Sequence, residues 1–148
     1  MDRDHMTIRP GVGLGDLKFG ASRDEVQAYL GEPVVDDENL RDWLNWEYPE
    51  IGVSVSFDRE YSLRLLSIST TSKESSLFGH RLIGMKSKEA LEIIEGKGLG
   101  GWKRVKDALG WEAEFNDVSV EFRFDDDQLW LISWRALIDE HDKVNWPE

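Results

Sequence analysis

The chain has no cysteine, three histidines and four prolines, and 18 basic residues against 30 acidic ones. Without cysteine there are no disulfides, no thiol nucleophile and no thiolate zinc site. Its absence also fits a reducing compartment. His5, His80 and His141 are too scattered to show a metal-ligand spacing. No apolar run approaches the ~20 residues needed to span a bilayer. No basic-then-apolar segment opens the chain. These shortages lead us to expect a cytoplasmic protein with no membrane partner and no metal. The deficit of Lys and Arg leaves a net charge of −12. Such a chain repels phosphate backbones, so nucleic acid is not an expected partner, whereas a basic protein is.

Catalytic motifs are missing as well. There is no Gly-x-Ser-x-Gly elbow. Asp125-Asp126-Asp127 lacks the glycine and the distal glutamate of a calcium loop and reads as a solvated hairpin turn. Gly11, Gly13 and Gly15 lack both the preceding strand and the spacing of a phosphate loop, so they read as a turn-rich entry. The sequence therefore predicts no catalytic residue and no cofactor. A hydrolase built on an unrecognised acidic pair stays open, because general acid–base chemistry depends on geometry rather than on spacing.

What is present is aromatic. Seven Trp, six Phe and three Tyr in 148 residues are too many for a disordered chain. Self-similarity is also present, with a period of about 65 residues. Sliding by 64 lays Leu14–Gly20 over Phe78–Gly84. Sliding by 65 lays Trp46-Glu47 over Trp111-Glu112, and Val53–Phe57 over Val118–Phe122. Sliding by 66 lays Leu63, Leu65, Leu66 and Ser67 over Leu129, Leu131, Ile132 and Ser133. The pattern divides the chain into residues 1–6, a tag or disordered lead; 7–72, repeat one; 73–138, repeat two; and 139–148, an acidic tail.

Each half opens with a helix. Ser22 and Glu25 have the spacing of a capping box, Val26, Tyr29 and Leu30 form an apolar stripe, and Gly31 with Pro33 ends it. The second helix is expected from Ser87 to Glu95. Three alternating strands follow in each half: Trp46–Tyr48, Ile51–Phe57 and Leu63–Thr70, then Trp111–Phe115, Val118–Phe124 and Leu129–Arg135. Their short links imply antiparallel meanders. The expected fold is α+β: two tandem helix-plus-three-stranded antiparallel meander repeats, with one sheet face covered by helices and one exposed. Alternation puts Val53, Val55, Phe57, Val120, Phe122 and Phe124 under the helices, with Trp130 also expected inward. It puts Glu47, Ser54, Ser56, Glu112, Glu114, Glu121 and Arg123 on the open face.

Phe19-Gly20-Ala21-Ser22-Arg23-Asp24-Glu25-Val26-Gln27-Ala28-Tyr29-Leu30-Gly31-Glu32-Pro33 resembles the helix-entry signature of BamE-like small outer-membrane lipoproteins. The tandem arrangement is similar to that of the β-lactamase inhibitory proteins, which present a concave sheet. The resemblance implies architecture and a habit of binding other proteins. The lipid-acceptor cysteine of the first group and the disulfides of the second are absent here.

One further segment matters for binding. Residues 32–50 hold Asp36, Asp37, Glu38, Asp42 and Glu47 beside Trp43, with Arg41 the one base. Carboxylates steer a basic partner and an aromatic anchor supplies burial. The expected function is a non-catalytic protein-binding module, most specifically a bacterial immunity or inhibitor protein that neutralises a basic toxin or enzyme. The expected state is monomer or homodimer. Two alternatives remain at this level: a small-molecule or glycan binder using Trp residues between the repeats, and a periplasmic or envelope assembly factor of the BamE-like type.

Overall fold

A computed structural model describes residues 3–37, 43–97, 103–107, 110–115, 119–139, 141 and 143–147. The helices form where the caps require them. In α1 (Arg23–Leu30), the Ser22 hydroxyl accepts from the Glu25 amide at 3.2 Å, and the Glu25 carboxylate accepts from the Ser22 amide at 3.1 Å. Helix α2 (Ser87–Gly96) has no side-chain cap at Lys86. The Ser87 hydroxyl instead donates to the Asp127 carboxylate, and the Ser87 amide donates to the Asp127 carbonyl. Asp127, read from sequence as part of a solvated turn, thus holds the start of α2.

The expected fold class is overturned. The chain is mostly sheet, and the strands do not form two three-stranded meanders. A three-stranded sheet at the start is made of β1 (Ile8–Arg9), β2 (Gly13–Leu14) and β3 (Leu17–Lys18). The main sheet is continuous and has eight strands: β4 (Val35–Asp37), β5 (Trp43–Tyr48), β6 (Val53–Asp58), β7 (Arg64–Thr70), β8 (Lys103–Asp107), β9 (Gly110–Phe115), β10 (Val120–Asp125) and β11 (Gln128–Arg135). Their spatial order is β4-β5-β6-β7-β11-β10-β9-β8, every neighbouring pair antiparallel. A last hairpin pairs β12 (Leu137–Ile138) with β13 (Val144–Asn145).

In the main sheet the strands missed from sequence are β4 and β8 at the two edges; the short strands β1–β3 and the β12–β13 hairpin were missed as well. Val-Asp-Asp and Lys-Arg-Val-Lys-Asp show no apolar alternation, and charge is what an edge strand carries to discourage further pairing. The described residues of the lead and tail pack on the fold. Met6 is only 5% exposed, His5 stacks on Tyr29 with ring centroids 3.9 Å apart, and Val144 is buried. Gly13 explains why the entry forms a sheet. Its φ is +153°, and a Cβ there would lie 1.9 Å from the Leu17 carbonyl oxygen, so only glycine lets β2 and β3 approach.

The core lies on one face of the eight-stranded sheet. Phe57, Leu65, Ile68, Phe122, Phe124, Leu129 and Trp134 are fully buried there, with Val26 of α1 and Ala90 and Ile94 of α2. Helix α1 packs near β7 and β3, and α2 near β11. The Trp134 indole N–H donates to the Gly13 carbonyl at 2.8 Å, tying the main sheet to the entry sheet.

Residue-by-residue overlay of the halves also needs correction. Phe57 pairs with Leu44, and Phe124 with Trp111, so Phe124 rather than Phe122 occupies the place of Phe57. The sequence overlay was therefore two residues out in these strands. A two-residue slip keeps each side chain on its face, which is why the inside–outside assignments of β6 and β10 stand. Trp130 is the exception. A bulge between Arg123 and Phe124 sets an extra β11 residue against β10, and Trp130 turns outward, 37% exposed. A matching bulge between Ser56 and Phe57 leaves Leu66 half-buried.

Candidate functional site

The opposite face of the sheet is polar along its centre. One row of directly paired positions crosses all eight strands: Val35, Glu47, Ser54, Ser69, Ser133, Glu121, Glu114 and Lys103. A second row holds Asp37, Asn45, Ser56, Ser67 and Arg135. The Ser56 and Ser67 hydroxyls bond to each other. Ser69 and Ser133 pair at the β7–β11 seam, and strand order and register read alike on either side of it.

Two depressions flank that seam. The first, about 330 Å³, is lined by Glu47, Ser54, Ser69, Thr70, Thr71 and Leu131, with Gly52 and Val53 at its end. The second, about 350 Å³, is lined by Ser67, Ser119, Glu121, Ser133, Arg135 and Ile138, with Val120 and Trp134 beneath. The register relates them. Ser54 stands where Glu121 does, Ser69 where Ser133 does, and Leu131 where Ser67 does. The Thr71 amide donates to the Gly52 carbonyl at 2.9 Å, as the Arg135 amide does to the Ser119 carbonyl at 3.3 Å. The clefts are therefore equivalent in place and unequal in chemistry: the first holds hydroxyls, Leu131 and the Glu47 carboxylate with no base, the second a carboxylate and a guanidinium.

Of the residues expected from sequence, Glu47, Ser54 and Ser56 are half-buried on this face and Glu121 is exposed on it. Arg123 is half-buried and makes polar or ring interactions. Glu112 and Glu114 hold register positions opposite Arg123 and Glu121. Asp36 and Asp37 lie on edge strand β4, and Trp43 opens β5 opposite Asp58. Glu38 and Asp42 lie outside the described residues. The described parts of the acidic segment 32–50 thus supply an edge strand and its neighbour. Thr70, Thr71, Leu131 and Ile138 were not foreseen. Thr71 and Ile138 lie beyond the alternating runs that were read as strands. Leu131 needed knowledge of the bulge.

Among the described residues no group of three or more His, Asp or Glu side chains has a metal-holding arrangement. None of the helices described is long and apolar enough to cross a membrane.

No family model matches the chain, and no curated protein matches it. Solved structures share its fold. A DUF4309 family protein, YjgB, from Bacillus subtilis is 14% identical with a TM-score of 0.55, over 86% of this chain and 88% of that one. An extracellular protein containing an SCP domain from Bacillus anthracis is 10% identical with a TM-score of 0.52, over 79% of this chain. A cysteine-rich secretory protein, SAV1118, from Staphylococcus aureus is 10% identical with a TM-score of 0.52, over 90% of this chain. The chain spans 43% and 48% of the length of these last two proteins. At such identities the likeness is one of fold.

Proposed function

We propose that the chain is a non-catalytic protein-binding module that receives its partner on the open face of the eight-stranded sheet. The observation that carries this reading is the face itself: a polar surface centred on Ser54, Ser56, Ser67, Ser69 and Ser133, with a cleft on either side of the seam. Short hydroxyl side chains leave room for a convex partner and cost little to desolvate when they can bond across an interface. The net charge of −12 favours a basic partner. In its most specific form the module is a cytoplasmic immunity or inhibitor protein, acting as monomer or homodimer on a cognate toxin or enzyme. Two fold neighbours are an extracellular and a secretory protein, which points to the rival compartment; cell fractionation decides.

The glycan reading is weaker because Trp46 and Trp134 are buried in the core and Trp146 packs edge-on against Tyr61. Of the described Trp side chains, Trp130 alone is exposed on the sheet.

The test uses three baits in a lysate of the organism that carries the gene, and against the product of the adjacent gene: the wild-type chain, Ser69→Arg/Ser133→Arg, and Lys88→Glu on α2 as control. A captured protein should bind wild type and the control equally, and the face variant at least tenfold more weakly. Equal capture by all three, or capture by none, sinks the reading.

A further inference from the structure

The first cleft contains a carboxylate that the chain does not answer. Glu47 is half-buried there. Among the described residues it takes part in no ion pair and no side-chain hydrogen bond. Register accounts for this. The bases on this face, Arg135, Arg123 and Lys103, stand on β11, β10 and β8, three or more strands from β5. That is roughly 14 Å or more, beyond side-chain reach. Lys73 follows Thr71 closely in sequence, but its side chain lies against Gly84 and does not line the cleft. The second cleft differs. Glu121 stands opposite Ser133, and Arg135 lies two residues along β11 on the same face. Such diagonal neighbours are about 7–8 Å apart, within reach of each other through long side chains. The acid of the second cleft therefore has a base of its own chain beside it.

The oxygens beside Glu47 stand in a line. Ser54 is paired directly with Glu47, and Ser69 with Ser54, all on one face. Directly paired Cβ atoms lie about 4.5–5.5 Å apart. Thr71 adds a third hydroxyl and Leu131 an aliphatic wall. Gly52 keeps the cleft open between them, since a Cβ there would lie 3.1 Å from Thr71 Oγ1.

We infer that the first cleft is a lysine socket: a protein partner seated on the open face inserts one lysine side chain, whose ammonium donates to the Glu47 carboxylate and the adjoining Ser54 and Ser69 hydroxyls. A partner that covers the cleft takes water from Glu47, and a carboxylate desolvated without a cation is heavily penalised. Any partner that seats there must therefore bring a positive charge to this point. An ammonium has three donors and no acceptor, which suits one carboxylate and a row of separate hydroxyls. A guanidinium is a planar fork best met by paired, coplanar acceptors, and the cleft offers only one such pair, on Glu47. The methylene stem of lysine takes apolar cover, which Leu131 supplies at the side where the chain enters. This inference rests on the open face being the binding face and names the side chain that the face receives.

The test is selection from a random 12-residue peptide display library on the full chain, followed by affinity measurement of the enriched peptides. The baits are wild type, Glu47→Gln, Ser69→Arg and, as a control that removes the same charge from exposed α2, Glu92→Gln. The wild-type chain should enrich peptides that share one lysine. Replacing that lysine by norleucine, which keeps the stem and removes the ammonium, should weaken binding at least tenfold, and replacing it by arginine at least threefold. Glu47→Gln should weaken the lysine peptide at least tenfold and cut the effect of the norleucine exchange to twofold or less. Glu92→Gln should stay within twofold of wild type, and Ser69→Arg should abolish binding. Peptides that lose Ser69→Arg but bind Glu47→Gln as well as wild type overturn this inference and leave the binding face in place. So do peptides that accept arginine for lysine without loss. Displacement of the peptides by micromolar cadaverine would mark a small-molecule amine site and overturn the protein occupant. Peptides that bind all four baits equally overturn both readings. Failure to enrich any peptide overturns the inference, because a socket for one side chain must select from such a library.

Discussion

Replacing Trp134 by Phe isolates the link between the main sheet and the entry sheet. The indole is 1% exposed, and its N–H donates to the Gly13 carbonyl at 2.8 Å across 121 residues of sequence. Phe keeps most of the ring's burial and removes the donor. Withdrawing a buried partner costs about 1–3 kcal/mol. The smaller ring leaves space worth on the order of 1 kcal/mol more. The expected loss is therefore about 2–4 kcal/mol, which for a chain of this length lowers Tm by roughly 5–15 °C. Urea unfolding at 25 °C measures the first figure, and the denaturant slope should not change. Hydrogen exchange localises the loss. The Gly15 and Phe19 amides, bonded to the Thr7 and Val12 carbonyls, should lose protection before those of β6 and β7. A loss below about 1 kcal/mol, or equal deprotection of entry sheet and main sheet, refutes the role of this bond as the tie.

Three further substitutions test the local readings. Ser22→Ala removes one half of the capping box and should cost about 1 kcal/mol in urea unfolding. Trp130→Ser should cost about 1–2 kcal/mol, clearly less than the roughly 3–5 kcal/mol of a core aromatic truncation, because the bulge leaves the ring partly exposed at 37%. A core-sized loss there would mean that the indole packs inward after all. Gly110→Ala places a Cβ 2.2 Å from the Phe124 carbonyl oxygen at a φ of +126°. It should cost about 3 kcal/mol or more, read as a fall in the urea midpoint or as failure to fold.

What sequence could show here was decided by periodicity. Val53, Val55 and Phe57 alternate with Ser54, Ser56 and Asp58, and so do Val120, Phe122 and Phe124 with Glu121, Arg123 and Asp125. A period of two names the buried face without any knowledge of the partner strand. It does not name the partner residue, so overlaying Trp46 on Trp111 was out of register although both halves were read with the correct face. Trp111 stands where Leu44 does. Bulges break the period itself, and Trp130 was misplaced for that reason. Strands β4 and β8 carried no periodic signal because a short charged edge has neither a hydrophobic stripe nor a turn motif of its own. The polar row of the site was legible strand by strand, while its two clefts were not. Each cleft is assembled from strands brought together by the pairing of β7 with β11, a contact between segments more than 60 residues apart.

The charge of the whole chain and the charge of the face point to two different jobs. Beside the seam the described side chains set Glu47 and Glu121 against Arg123 and Arg135, so this part of the face is close to balanced. Most of the net charge of −12 lies away from the seam. A distributed charge acts at long range and mainly raises the rate of encounter, whereas paired charges inside an interface mainly set the rate of escape. Under the proposed function the two should therefore separate. Between about 20 and 500 mM salt, kon for a basic partner should fall roughly tenfold or more as the field is screened, while koff changes less than about threefold. Arg135→Glu and Glu121→Lys should do the reverse, raising koff with little effect on kon. Surface plasmon resonance on the captured partner resolves both rates. A salt effect carried chiefly by koff would mean that the acidic residues sit in the interface, and the separation argued here would be wrong.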